Sequence, residues 1–239
     1  KLKHKNFDID KVEDLRDKVF VTIDGKNAKD FDDAVLGEKD EEGNLILYVA
    51  IADVGRYIDI GSNLDQEAYE RGTSVYFSQK VIPMLPEELS NDLCSLKPNE
   101  DRFCLVCRTT IDAEGNLSDT SFFEALINSK SRLTYSNVTR EIERQQFKRP
   151  YANSLKVLLE IYRRLKINRL ARGSLELEVP TYIPKVSNRK ILKFEDSPRE
   201  ISHMMIEEFM LAANISAAQL CLNQKIPSVY RVHPKPDIL

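Results

Sequence analysis

The chain has 239 residues, 42% of them hydrophobic and 31% charged, with a formal net charge of −3. That length can bury a sizeable core as one large domain or two, and that balance excludes a disordered polyelectrolyte. No run approaches the roughly eighteen apolar residues of a membrane span, no signal-peptide pattern opens the chain, and the net charge advertises no general basic field.

Residues 1 to 14 are polar and read as a linker, and the chain opens on Lys1 without a methionine, so a piece of a longer protein is expected. Val19 to Ile23 reads as a short strand. Ala34 to Gly37 and Leu45 to Ala52 read as strands joined through Asp40-Glu41-Glu42-Gly43-Asn44, a turn signal. Asp53 ends the second of these. Ser62 and Asp65 have the spacing of a helix start, with a stop at Arg71 and Gly72. Tyr76 and Phe77 follow in an extended run, then a proline-punctuated loop from Pro83 to Pro98 with one helical turn after Pro86. Arg102 to Ile111 and Ser118 to Leu126 repeat the hairpin around Glu114-Gly115-Asn116.

Cys104 and Cys107 form a C-x-x-C, but on a strand an offset of three places them on opposite faces, and no second pair follows. They are expected to be core thiols rather than zinc ligands. The second half turns helical. Thr134 to Gln146 and Asn153 to Arg172 have helical spacing, with Leu155, Leu158, Leu159, Tyr162, Leu165 and Leu170 as the buried stripe of the latter. After an extended segment from Leu175 to Phe194, Ser197-Pro198-Arg199-Glu200 reads as a capping box that opens a long helix. Its buried face should carry Ile201, Met205, Phe209, Ala213 and Leu220. Strands first and helices later predict an α+β fold, antiparallel hairpins followed by a helical second half. Arg140 to Arg172 carries a charge of +7, leaving −10 for the remainder, a distribution suited to handling a polyanion.

The most informative stretch is Thr22-Ile23-Asp24-Gly25-Lys26-Asn27-Ala28-Lys29-Asp30-Phe31-Asp32-Asp33-Ala34-Val35, four aspartates in ten positions between apolar flanks. At about 4 Å two such charges repel by roughly 1 kcal/mol in water and about 4 kcal/mol at a partly buried site. A fold keeps them by leaving them solvated or by neutralising them with a cation. Phe31 inside the cluster favours a site tucked into a core, and aspartate oxygens without Cys or His suit Mg²⁺ or Mn²⁺. A calcium loop counted from Asp30 places Asp32 and Glu41 correctly but puts Ala34 at the fifth position and Val35 where glycine is obligatory. That alternative fails. No Gly-x-Ser-x-Gly elbow, phosphate-binding loop or His-Glu-x-x-His competes, and His4, His203 and His233 are scattered. Metal-assisted phosphoryl chemistry at Asp24, Asp30, Asp32 and Asp33 is the reading the residues support.

This stretch resembles the signature of the ribonuclease II/ribonuclease R family, the RNB exoribonucleases. Five further pieces are similar in the same order: Val49 to Val54, Arg71 to Phe77, Ile82 to Pro86, Leu89 to Leu96 and Glu207 to Ser216. The likeness runs from about Asp14 to Pro236, and Asp14 to Asp17 with Arg71 to Tyr76 looks more like the ribonuclease R type. The resemblance implies the first part of an RNB catalytic domain over residues 15 to 239, truncated at its C-terminal end. It implies a Mg²⁺-dependent, processive 3′→5′ exoribonuclease of the exoribonuclease II type that cuts single-stranded RNA to 5′-mononucleotides, cytoplasmic and monomeric. It makes Asp24, Asp30 and Asp33 metal ligands and Asp32 the residue essential for turnover. Tyr76 would stack on the 3′-terminal base, and Glu207 would lie near the end of the RNA path. Arg172 to Leu177 departs from the pattern, with Leu177 where bacterial relatives place a clamping phenylalanine. Cold-shock and S1 domains and a later catalytic segment that supplies an arginine would lie outside this chain, leaving the fragment nearly inert alone. A non-catalytic RNA-binding member is the rival reading; loss of the aspartates would mark it, and all four are present.

Overall fold

Near-continuous apolar runs along the central strands give the sheet two buried faces, and each face collects its own core. The computed structural model describes residues 11–77, 80–176, 179, 181–187, 190–196, 199–230 and 232. Among the described residues seven strands form the main sheet: β1 (Glu13–Leu15), β2 (Val21–Asp24), β3 (Asp33–Lys39), β4 (Leu45–Ala52), β7 (Asp101–Ile111), β8 (Leu117–Asn128) and β9 (Ser131–Thr134). Two small hairpins stand apart, β5 (Val75–Tyr76) with β6 (Val81–Ile82) and β10 (Tyr182–Ser187) with β11 (Lys190–Asp196). The helices are α1 (Asn63–Arg71), α2 (Tyr135–Arg144), α3 (Ala152–Ala171) and α4 (Ile201–Asn223). The α+β order of the sequence reading is what the chain adopts.

The sheet order is β1-β8-β7-β4-β3-β2-β9. Its centre is antiparallel, as expected, but β1 on β8 and β9 on β2 are parallel. Ordered structure also starts inside the segment read as linker, because Glu13 already pairs with Ala125. One face carries Val21, Val35, Leu47, Val49 and Cys107 against α2, α3 and α4. The opposite face carries Ala34, Leu36, Tyr48, Ala50 and Cys104 beneath Phe31, Leu89, Cys94 and Leu96 from the loops. Cys104 and Cys107 therefore do lie on opposite faces, as free thiols.

Local chemistry explains the boundaries. The Asp40 and Asp112 carboxylates each accept backbone N–H bonds two and four residues on, so the two Glu-Gly-Asn turns have one construction. The Ser62 hydroxyl accepts from the Asp65 N–H at 3.2 Å to start α1, and Gly72 ends it at φ 69°, a left-handed value that glycine adopts without strain. Pro86 is followed by a helical turn that becomes π-type over Leu89–Leu93.

Three expectations change. In α3 the buried stripe is centred between Leu158 and Leu165, so it takes in Ile161 and leaves Leu170, at the stripe's far edge, 42% exposed. In α4 the buried residues include Met205, Phe209 and Ala213, while Ile201 and Leu220 are only partly covered. Ser197 and Pro198 lie outside the described residues; the helix is capped by Glu200, whose N–H donates to His203 Nδ1 at 3.3 Å. By length and composition α4 could cross a membrane, yet it is interrupted by Glu207 and Glu208 and buries Phe209 against the sheet.

Candidate active site

The four aspartates sit on a loop that joins two neighbouring strands. Asp24 is the last residue of β2, opposite Thr134 of β9, and Asp33 is the first of β3, opposite Ile51 of β4. Between them the chain turns at Gly25–Ala28 (Ala28 N–H to Gly25 C=O, 3.1 Å) and then runs extended. Phe31 is buried in the loop-side core, so its neighbours Asp30 and Asp32 face the other way. The Asp32 carbonyl accepts the Ala52 N–H at 2.9 Å, and the Phe31 carbonyl accepts the Leu96 N–H at 2.9 Å.

The carboxylates feel one another. Burial first, and the charge of Asp33 second, push the Asp24 carboxyl up to about 7; the adjacent Thr22 hydroxyl and Arg132 offset part of this. Burial and then the Asp32 charge push Asp33 up to about 6. Asp32 is raised by burial and by Asp30, although it keeps more contact with solvent than the other three, so its shift is the most screened. Tyr135 opens α2 directly after Thr134, the residue paired with Asp24, and its phenol is raised by burial and then by Asp24 and Asp33. Asp24 Oδ2 and the Thr22 hydroxyl are buried without a well-aligned hydrogen-bond partner. A buried carboxylate oxygen with no partner is costly unless a cation completes it. The all-oxygen donor set and that orphaned atom fit a hard divalent ion. Among the described residues the side chains do not close into a set of three or more ligands, so the array is open.

The remaining expectations fall elsewhere. Tyr76 is 68% exposed on the β5–β6 hairpin, with no side-chain bond or ring contact to the aspartates among the described residues. Glu207 lies on the exposed side of α4, paired with Arg199. Leu177 lies outside the described residues. Asp53 closes onto Arg56 at 2.8 Å rather than joining the cluster.

Sequence reasoning missed Ser95, Arg132 and Tyr135, all close to the aspartate loop, and Glu208, which is 5% exposed and bonded by Arg169 Nε at 2.6 Å. Only the parallel pairing of β2 with β9 brings the Ser131–Tyr135 stretch to Asp24, and nothing in the local pattern signals it. The Arg169–Glu208 pair lines a cavity of about 670 Å³ between α3, α4 and β8. No aspartate of the loop lines that cavity, so its volume has no bearing on the acidic site.

Comparison with known proteins bears on the family and the fold. The RNB domain family matches residues 12–238. Ribonuclease R of Vibrio parahaemolyticus is 47% identical over 232 residues, covering 95% of this chain and 28% of the relative. Ribonuclease R of Escherichia coli K12 is 46% identical over 230 residues, covering 94% and 28%. The solved structure of Mycoplasma genitalium RNase R in complex with ribose methylated single-stranded RNA superposes with a TM-score of 0.93 at 33% identity, covering 98% of this chain and 37% of that one. The chain thus spans a little over a quarter of the curated relatives it matches.

Proposed function

The chain belongs to the RNB domain family, and on that premise we propose that it forms the first part of the catalytic domain of a Mg²⁺-dependent 3′→5′ exoribonuclease. The enzyme hydrolyses single-stranded RNA processively to 5′-mononucleotides, as an exoribonuclease of the exoribonuclease II type. The observation that carries this is the coupled array of Asp24, Asp30, Asp32 and Asp33, with its unpartnered buried oxygen on Asp24. The complex of the Mycoplasma genitalium relative with single-stranded RNA supports the substrate class.

In this reading Asp24, Asp30 and Asp33 hold Mg²⁺, for which Mn²⁺ substitutes. When bound, the divalent ion supplies positive charge to the phosphodiester oxygens and lowers the pKa of water. A bound cation offsets the burial, and then the mutual repulsion, that raise Asp24 and Asp33, so the array favours an occupied state over an empty one. Asp32, which keeps contact with solvent, orients the attacking water toward phosphorus. Tyr76, exposed on its hairpin, offers a ring face to the 3′-terminal base. Such stacking contributes about 1–3 kcal/mol per base and reads no sequence. Glu207 lies near the end of the RNA path. The cationic group opposing the aspartates comes from polypeptide beyond this chain, along with the cold-shock and S1 domains, and the assembled protein works as a cytoplasmic monomer.

The test is degradation of a 5′-labelled oligoribonucleotide by the longer protein that carries this chain, with and without Mg²⁺. Stepwise shortening that requires Mg²⁺, lost in Asp32→Asn while RNA binding survives, is the expected result. Normal shortening by Asp32→Asn, or shortening in EDTA, would overturn the assignment.

A further inference from the structure

A loop of mutually repelling carboxylates keeps its shape only if its backbone is tied down elsewhere. Two side chains from distant segments do this. Ser95 is completely buried, and its hydroxyl accepts the Phe31 N–H at 3.0 Å while donating to the Lys29 carbonyl at 2.9 Å. One oxygen therefore holds the residues on either side of Asp30. The segment carrying Ser95 is itself fixed, because Arg102 donates to the Ser95 carbonyl at 2.9 Å and to the Asp92 carbonyl at 3.2 Å. At the other end of the loop, Arg132 Nη2 donates to the Gly25 carbonyl at 2.6 Å and the Lys26 carbonyl at 2.8 Å. Its guanidinium also lies 5.5 Å from the Phe31 ring centroid, so one cation spans the turn and the buried anchor.

We propose that Ser95 and Arg132 are positioning residues that preorganise the Asp24–Asp33 loop to receive a divalent cation. The proposal rests on the metal-site reading above and goes beyond it, since neither residue supplies a ligand. Both act through the backbone that aims the carboxylates, the role outer-shell hydrogen bonds play at metal sites generally. Arg132 acts as a directed donor, with one Nη2 bonded to two carbonyls, and not only as a charge. A lysine would keep the positive charge near Asp24 but reaches the two carbonyls with a different geometry.

The test is Mn²⁺ binding to the full chain, read by electron paramagnetic resonance of the free ion, at a temperature where circular dichroism shows each variant folded. Ser95→Ala and Arg132→Lys should each weaken Mn²⁺ binding about tenfold, the lower end of the effect of removing an outer-shell partner. Ser95→Cys keeps the buried volume with poorer hydrogen bonding; it carries the test if Ser95→Ala does not fold and should weaken binding likewise. Ser154→Ala is the stability control. It removes a bond from the Gly37 N–H (3.1 Å) on another part of the sheet, so it should lower the melting temperature and leave Mn²⁺ affinity unchanged. Folded Ser95 and Arg132 variants that bind Mn²⁺ as the unaltered chain does would overturn the positioning role alone. An unaltered chain with no Mn²⁺ affinity that Asp24→Asn removes would overturn the metal site and the positioning role together.

Discussion

Replacing Asp24 by asparagine should stabilise the metal-free chain, the reverse of what removing a charged group from a well-paired site does. The carboxyl is raised from 3.8 to about 7, chiefly by burial and by Asp33. At 1.36 kcal/mol per pKa unit, that is roughly 4 kcal/mol against the ionised folded state. Asp24 is only partly buried, and solvent screening reduces the figure to about 2 kcal/mol. The unfolded chain ionises Asp24 near 3.8 and the folded chain only near 7. Stability from this group is therefore fully present below about pH 4 and lost as pH rises through about 7. Asparagine keeps the shape without the charge. In EDTA at pH 7.5 the Asp24→Asn chain should melt about 4–8 °C higher, at roughly 2–4 °C per kcal/mol for a chain of this size, and the gap should narrow at pH 5. Groups shifted the other way, such as Asp14, held down to about 2 by Arg16, are common to both chains and drop out of the difference. Excess Mg²⁺ at pH 7.5 should raise the melting point of the unaltered chain and leave Asp24→Asn where it was. Equal gaps at pH 5 and 7.5, or a variant less stable at both, would refute the account of a carboxylate strained by burial and by Asp33.

Three other perturbations probe separate parts of the molecule. Tyr76→Ala in the longer protein should change the length of the final undegraded oligonucleotide with little effect on melting, because the ring is already exposed; an unchanged product ladder removes the stacking role. Gly115→Ala should lose about 2–4 kcal/mol in urea unfolding, since Gly115 has φ 82° and a Cβ there would meet the Arg164 carbonyl oxygen at 2.4 Å; a loss under about 1 kcal/mol would contradict that contact. Arg169→Ala leaves the Glu208 carboxylate, 5% exposed, without its 2.6 Å partner, and should cost about 3 kcal/mol in the same assay.

What could be read from the sequence follows from how local each signal is. The β3–β4 and β7–β8 hairpins announce themselves through their apolar runs and the repeated Asp…Gly-Asn turn, and α1 through Ser62, Asp65 and Gly72. The aspartates are legible for the same reason, four in one short loop. Arg132 is not, because its partner Gly25 is 107 residues away and only the parallel β2–β9 ladder unites them. Ser95 reaches Phe31 across 64 residues. A serine in a loop carries no sign that its hydroxyl is buried and bonded twice. In α4 the sequence marks Glu207 and Glu208 alike as polar; the fold buries the second against Arg169 and leaves the first outside with Arg199. The edge of the α3 stripe was misplaced because helical phase, summed over four turns, depends on where the sheet lies beneath it.

The central claim is that this acidic loop grips a divalent cation. A crystal of the chain grown or soaked in Mn²⁺ and measured at the manganese absorption edge answers it directly. The account predicts an anomalous peak about 2 Å from carboxylate oxygens of Asp24, Asp30 and Asp33, absent from an Asp24→Asn crystal treated alike. A featureless loop in Mn²⁺, with the carboxylates separated and bonded only to water, would contradict it.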